Sequence, residues 1–146
     1  MYTTLPDPDH QAQFYADVPL KRALAWCVDA ILIALVTVVV VLFTLFLGLF
    51  FLSVLYMTIS FLYRTISLAR NSATPGMRLM AIEFRDRTGA RFDLGTAFLH
   101  TLGYTLTIST VLPQLLSMGL MLTTARGQGL TDLVLGTVAI NKPARI

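Results

Sequence analysis

The sequence predicts an all-α membrane protein with two full transmembrane helices, a proline-broken third or fourth helical segment, and a small two-stranded β element on the cytoplasmic side. Three observations carry this prediction. Of the 146 residues, 55% are hydrophobic and the mean hydropathy is +0.71, too apolar for a soluble fold of this size. Residues 23–63 contain a single charged side chain, Asp29, in a run long enough to cross a bilayer core of about 30 Å twice at 1.5 Å per residue. Residues 94–124 form a further apolar stretch, interrupted by Pro113.

The elements follow in order. Residues 1–19 make a polar N-terminal tail carrying Asp7, Asp9 and Asp17. With no lysine or arginine among these nineteen and no small-residue cleavage pattern after them, a cleaved signal peptide is not expected. Lys21 and Arg22 stand directly before the first span, and Trp26 sits one turn deeper, where indole rings prefer the headgroup region. The first helix, about 20–46, therefore starts on the cytoplasmic side. The chain turns near Leu47-Gly48-Leu49 and returns as a second helix, about 50–69.

The segment 70–93 reads as the main cytoplasmic loop. Six arginines between residues 64 and 93 face only Glu83, Asp86 and Asp93, and Asn71-Ser72 and Thr74-Pro75-Gly76 supply turn chemistry. Residues 79–85 and 136–140 are strand-like, and two lone strands would leave backbone groups unpaired, so they are expected to pair with each other. The stretch 94–124 is either one kinked span or a helical hairpin bent at Pro113. The hairpin is favoured because Arg126, Lys142 and Arg145 follow it and its strand partner is cytoplasmic. The membrane domain thus occupies 20–141, with a C-terminal tail at 142–146.

Charge and composition narrow the function. Without the three N-terminal acids the formal charge rises from +3 to +6, and this basic excess encodes topology rather than nucleic-acid binding. The one cysteine, Cys27, lies inside the first span and reads as packing. His10, His100 and Cys27 lack metal-ligand spacing, and no nucleophile–base pattern or phosphate loop is present. Neither catalysis nor a cofactor is expected.

An ionised carboxylate on a lipid-facing helix costs roughly 2.5 to 3.5 kcal/mol, so Asp29 must face protein or water and is expected to meet a cation. Arg22 lies seven residues earlier on nearly the same face, about 10 Å away along the axis, too far for a strong direct pair. Arg126, the loop arginines, or Arg22 reaching through water are the candidate partners. Asp29 is then either half of a buried ion pair that fixes helix register or the binding group for a proton or cation. His100, Gly103, Thr107, Thr110, Gln114 and Ser117 recur at spacings of three and four, placing them on one helix face. This stripe is either interhelical packing or a polar lining for an ion path. Asp132, in isolation, reads as a loop carboxylate capping a turn.

An arginine at the mouth of the first span, an aspartate inside it, a Thr74-Pro75-Gly76 turn leading into a strand, and an ending with Arg126, Leu130, Asp132, Gly136 and Thr137 at fixed spacing together resemble the RDD family of bacterial membrane proteins. The resemblance covers roughly residues 19–141. It implies that the family's arginine and two aspartates are Arg22, Asp29 and Asp132. One departure is that the family's Thr-Pro-Gly is usually followed by lysine, where this chain has Met77 and then Arg78. The resemblance implies a multipass protein of the bacterial inner membrane, suspected of transport and without a settled molecular function. The function expected on these grounds is binding or transport of a cation or small solute, with the lipid bilayer as surroundings and a homo-oligomer as the working form. The alternative is a non-transporting accessory or assembly subunit of a larger membrane complex.

Overall fold

The computed structural model describes residues 5–143. Two long helices, α1 (Val18–Phe43) and α2 (Leu52–Asn71), are followed by a short helix α3 (Pro75–Leu79), strand β1 (Ile82–Arg85), helices α4 (Leu94–Ile108), α5 (Val111–Thr123) and α6 (Leu130–Leu135), and strand β2 (Val138–Asn141). The helical stretches ending in α1 and α2 are long and apolar enough to cross a membrane. The class is therefore the expected one, mostly helical with a two-stranded sheet.

Along α1 the buried positions Ala25, Asp29, Ile33, Thr37 and Val41 recur every four residues and form a single inward stripe. Ile31, Leu35, Val38 and Phe43 point outward and are exposed, a pattern suited to a helix solvated by lipid on most of its circumference. The turn to α2 falls on Leu45 and Phe46, both left-handed, and not on Gly48. Gly48 instead permits close packing, since a Cβ there would lie 3.1–3.2 Å from Leu55, Thr44 and Val41.

At the opposite end of α1 and α2 the polar elements form a cap. β1 and β2 pair antiparallel, with Ile82 opposite Asn141 and Arg85 opposite Val138, so the two isolated strand-like runs do meet. Ser72 fastens the cap to α2. Its backbone oxygen accepts from Phe84 N at 2.7 Å, its hydroxyl donates to Phe84 O at 2.7 Å, and the same oxygen accepts from Phe92 N at 2.9 Å. Val18, Ala25, Leu68, Met77, Ile82, Phe84, Phe92 and Ala97 close the core between cap and helices.

Three expectations are corrected. The N-terminal segment is not a free polar tail: Leu5 and Tyr15 pack on Val138 and Ile140, and Asn141 donates to the carbonyls of Gln13 and Ala16 at 2.9 Å each. Residues 1–4 of that tail and 144–146 of the C-terminal tail lie outside the described residues. The loop 70–93 holds a helix, α3, as well as a strand. Finally, α4 and α5 meet at 116° across Ser109–Thr110, and not at Pro113. Pro113 is the third residue of α5, in the first turn where a missing N–H costs no helical bond. Hydroxyls cluster at the break. Thr107, Ser109 and Thr110 donate to the carbonyls of Tyr104, Thr105 and Leu106, while the Thr110 backbone is already extended.

Candidate functional site

Two aspartates are buried to 1% exposure, and each gathers a node of hydrogen bonds. Asp29 projects from α1 toward α2 and α3. Its Oδ1 accepts from the Tyr63 hydroxyl at 2.7 Å and from Gly76 N at 2.8 Å, and its Oδ2 accepts from the Thr74 hydroxyl at 2.5 Å. The Thr-Pro-Gly sequence accounts for this geometry residue by residue. Thr74 is the N-cap of α3 and accepts from Met77 N at 3.3 Å. Pro75 presets the first helical φ, where no N–H is needed. Gly76 lets the turn lie against α1, because a Cβ there would collide with the Ala25 carbonyl and come within 2.9 Å of the Asp29 carboxyl.

Asp132 sits in the first turn of α6, beneath α1 and α4. Its Oδ2 accepts from Arg22 Nη1 at 2.6 Å and from Gly129 N at 3.1 Å, and its Oδ1 lies 2.8 Å from both His100 Nε2 and the Thr137 hydroxyl. Arg22 also donates to Gly127 O at 3.2 Å, and its guanidinium stands 5.2 Å from the Phe84 ring centroid. Burial would by itself raise the Asp132 carboxyl, but the Arg22 charge and the His100 hydrogen bond outweigh it and hold the group below the usual carboxylate range. A third buried carboxylate, Glu83 on β1, pairs with Arg85 and, at 3.3 Å, with Arg91.

A sequence model of the RDD family matches residues 17–136. The chain belongs to the RDD family. Comparison with curated proteins and with solved structures gave no match. The three residues that the resemblance assigns to the RDD signature divide between the nodes, with Arg22 joined to Asp132 and Asp29 standing apart from both.

The expected cationic partner of Asp29 is thus corrected. Among the described residues Asp29 makes no ion pair; neutral donors surround it, two hydroxyls and one backbone N–H. Arg126 stands near Tyr15, its Nε buried and unpartnered. The polar stripe is corrected too, because the sharp bend at Ser109–Thr110 divides it. His100 and Ser117 are drawn into the α6 region, where Ser117 Oγ accepts from Leu130 N at 3.0 Å. Gly103 gives room to Thr131, whose Cγ2 would lie 2.6 Å from an added Cβ. Thr107 and Thr110 return their hydroxyls to their own helix, and half-buried Gln114 makes no side-chain hydrogen bond among the described residues. No group of three potential metal ligands is present among the described residues.

Sequence reasoning did not place Tyr63, Thr74 and Gly76 around Asp29, nor His100, Gly129 and Thr137 around Asp132. Thr-Pro-Gly reads as a turn leading into a strand, although a capping threonine followed by proline also marks a helix start, whose N–H groups suit a carboxylate. Tyr63 left no comparable signal.

Proposed function

We propose that this membrane protein works as a small accessory subunit in the bacterial inner membrane. It is multipass, with its N-terminus and cap in the cytoplasm, and it docks in the bilayer with a larger complex. One observation carries the reading: both oxygens of each interior aspartate are hydrogen-bonded within the chain, through three partners at Asp29 and four at Asp132, so each carboxylate is engaged by its own fold rather than by a solute. The grooves between the helices, about 290 and 540 Å³, open toward the lipid-facing side. They are lined by residues such as Met57, Phe61, Val38 and Leu52, and neither aspartate borders them. A path for a cation needs polar groups that face water. The basic loop between α2 and α4 supports a cytoplasmic cap by the positive-inside rule.

Native mass spectrometry of the protein, gently extracted from its own membrane, tests this reading together with flux assays in proteoliposomes. A hetero-complex with no flux of protons or monovalent cations is expected. A pure homo-oligomer that conducts either, and loses conduction in Asp29→Asn, would overturn the accessory reading in favour of transport.

A further inference from the structure

Arg64 and Arg126 each keep a buried Nε without a partner among the described residues, and of the two only Arg64 lies on a long apolar helix, α2. Asp29 contacts Tyr63 near one end of the α1–α2 pair, and Gly48 lies against Leu55 and Val41 near the other, so the two helices run antiparallel. Arg64 lies seven residues before the end of α2 and Trp26 eight residues into α1, about 10 and 12 Å along their axes, so both stand at one level of the bundle. That level suits an indole ring at the headgroup boundary.

The Arg64 guanidinium lies over the Tyr104 ring, with Cζ 4.1 Å from the centroid. Its Nε is buried without a hydrogen-bond partner, and among the described residues no carboxylate pairs with it. Asp29, the nearest carboxylate along the bundle, is committed to Tyr63, Thr74 and Gly76. Tyr104 adds a second donor: its oxygen accepts from Trp26 Nε1 at 2.7 Å, and its own O–H meets no acceptor among the described residues. Trp26 is 45% exposed on the outside of the pair.

A guanidinium has five N–H donors, and the one at the buried Nε, left unpaired away from water, is costly. At the headgroup level the acceptors on offer are lipid phosphate oxygens, which suit a planar donor fork. We propose that Arg64, Tyr104 and Trp26 form a binding site for the phosphodiester headgroup of an anionic phospholipid. The guanidinium takes the phosphate oxygens, the Tyr104 hydroxyl takes a further oxygen, and the Trp26 ring packs beside the glycerol region. The anionic preference follows from charge, since Arg64 has no carboxylate partner among the described residues and a headgroup of net negative charge balances it where a zwitterionic one does not.

Trp26 is the only tryptophan, so its fluorescence reports this site alone. The full chain is reconstituted in phosphatidylcholine vesicles containing brominated phosphatidylglycerol or, in parallel, brominated phosphatidylcholine. Brominated anionic lipid should quench with a relative association constant about fivefold higher, the worth of one basic residue at an anionic surface. Arg64→Gln should bring that ratio close to one, Arg64→Lys should leave it between, and Lys21→Gln should preserve it. Inorganic phosphate added to the vesicles should not compete. Equal quenching by both lipids in the wild type, an unchanged preference in Arg64→Gln, or relief by inorganic phosphate would each overturn the site. If Arg64→Gln fails to accumulate, Tyr104→Phe keeps the ring under Arg64 and removes the hydroxyl. It should lower the preference, and no change would count against the proposal.

Discussion

Asp29 and Asp132 are the same side chain at the same burial, and they are neutralised by opposite means. Asp132, in the cap, takes a full counter-charge from Arg22 and three further hydrogen-bond partners. Asp29, about 16 Å along α1 from its start, takes two hydroxyls and the N-terminal N–H of α3. The difference follows from what each location can supply. In the cap a second charge can be hydrated until it is packed, whereas within a span every added charge must itself be taken out of water. Hydroxyls and a helix N-terminus bring partial positive charge without that cost. Both nodes join distant segments: Asp132 holds α6 to α1 and α4, and Asp29 holds α3 to α1 and α2.

The largest effect should come from breaking the charged node. Asp132→Asn leaves Arg22, only 13% exposed, with a neutral neighbour, and removing one partner of such a pair costs roughly 3–5 kcal/mol. Adding Arg22→Met should recover a substantial part, because the stranded charge goes with it. Thermal unfolding in detergent measures both, and an Asp132→Asn protein as stable as wild type would remove the pair from the account. The same node sets an acid limit. A carboxyl whose folded value lies below its ordinary 3.8 contributes stability that is complete above 3.8 and is lost as pH falls toward the folded value. Wild-type stability should therefore decline below pH 3.8 with a component that Asp132→Asn lacks.

Gly76→Ala comes next and tests the neutral node by shape alone. The added methyl meets the Ala25 carbonyl and the Asp29 carboxyl, so α3 must move off α1, at a cost of about 1–3 kcal/mol. Loss of protease resistance between residues 72 and 81 at unchanged helix content would report that displacement; an unaffected protein would mean that the close approach is not needed.

How much of this was legible depends on the kind of signal. Asp29 was legible as an anomaly because one charge in an apolar run is visible without any structure. Its partners were not, because Tyr63 and Gly76 reach it only after α2 and α3 fold back, and neither carries a charge that would suggest pairing. The strand pairing was legible because two lone strands each need a partner. The α4–α5 break was misplaced because proline is the strongest local breaker, yet in the first turn of a helix it breaks nothing. The feature that accompanies the break is a run of Thr105, Thr107, Ser109 and Thr110, all bonded back to their own helix, a cluster denser than the single Thr37 and Thr58 that the unbroken α1 and α2 tolerate. The stripe failed for the same reason, since periodicity assumes one continuous helix.

Asp29→Asn should cost less than Asp132→Asn, about 1–2 kcal/mol, and this contrast is the direct test of the comparison. No cation is stranded, and the amide oxygen can still accept from Tyr63 and Gly76. The loss is the difference between charge-assisted and neutral hydrogen bonds, partly offset by relief from a buried charge. A loss as large as that of Asp132→Asn would mean that Asp29 balances a cation after all.

The smallest effect should be Tyr63→Phe, which removes one donor to Asp29 and keeps the ring. Tyr63 is only half-buried, so water can reach the oxygen it leaves behind, and a hydrogen bond of this kind contributes about 1 kcal/mol. The informative measurement is a double-mutant cycle with Asp29→Asn. If the hydroxyl acts through the carboxylate charge, Tyr63→Phe should cost less in the Asp29→Asn background than in the wild type, with a coupling of about 0.5 kcal/mol or more. Strict additivity would assign the Tyr63 effect to packing against neighbouring helices, leaving Thr74 and Gly76 as the two donors that neutralise Asp29.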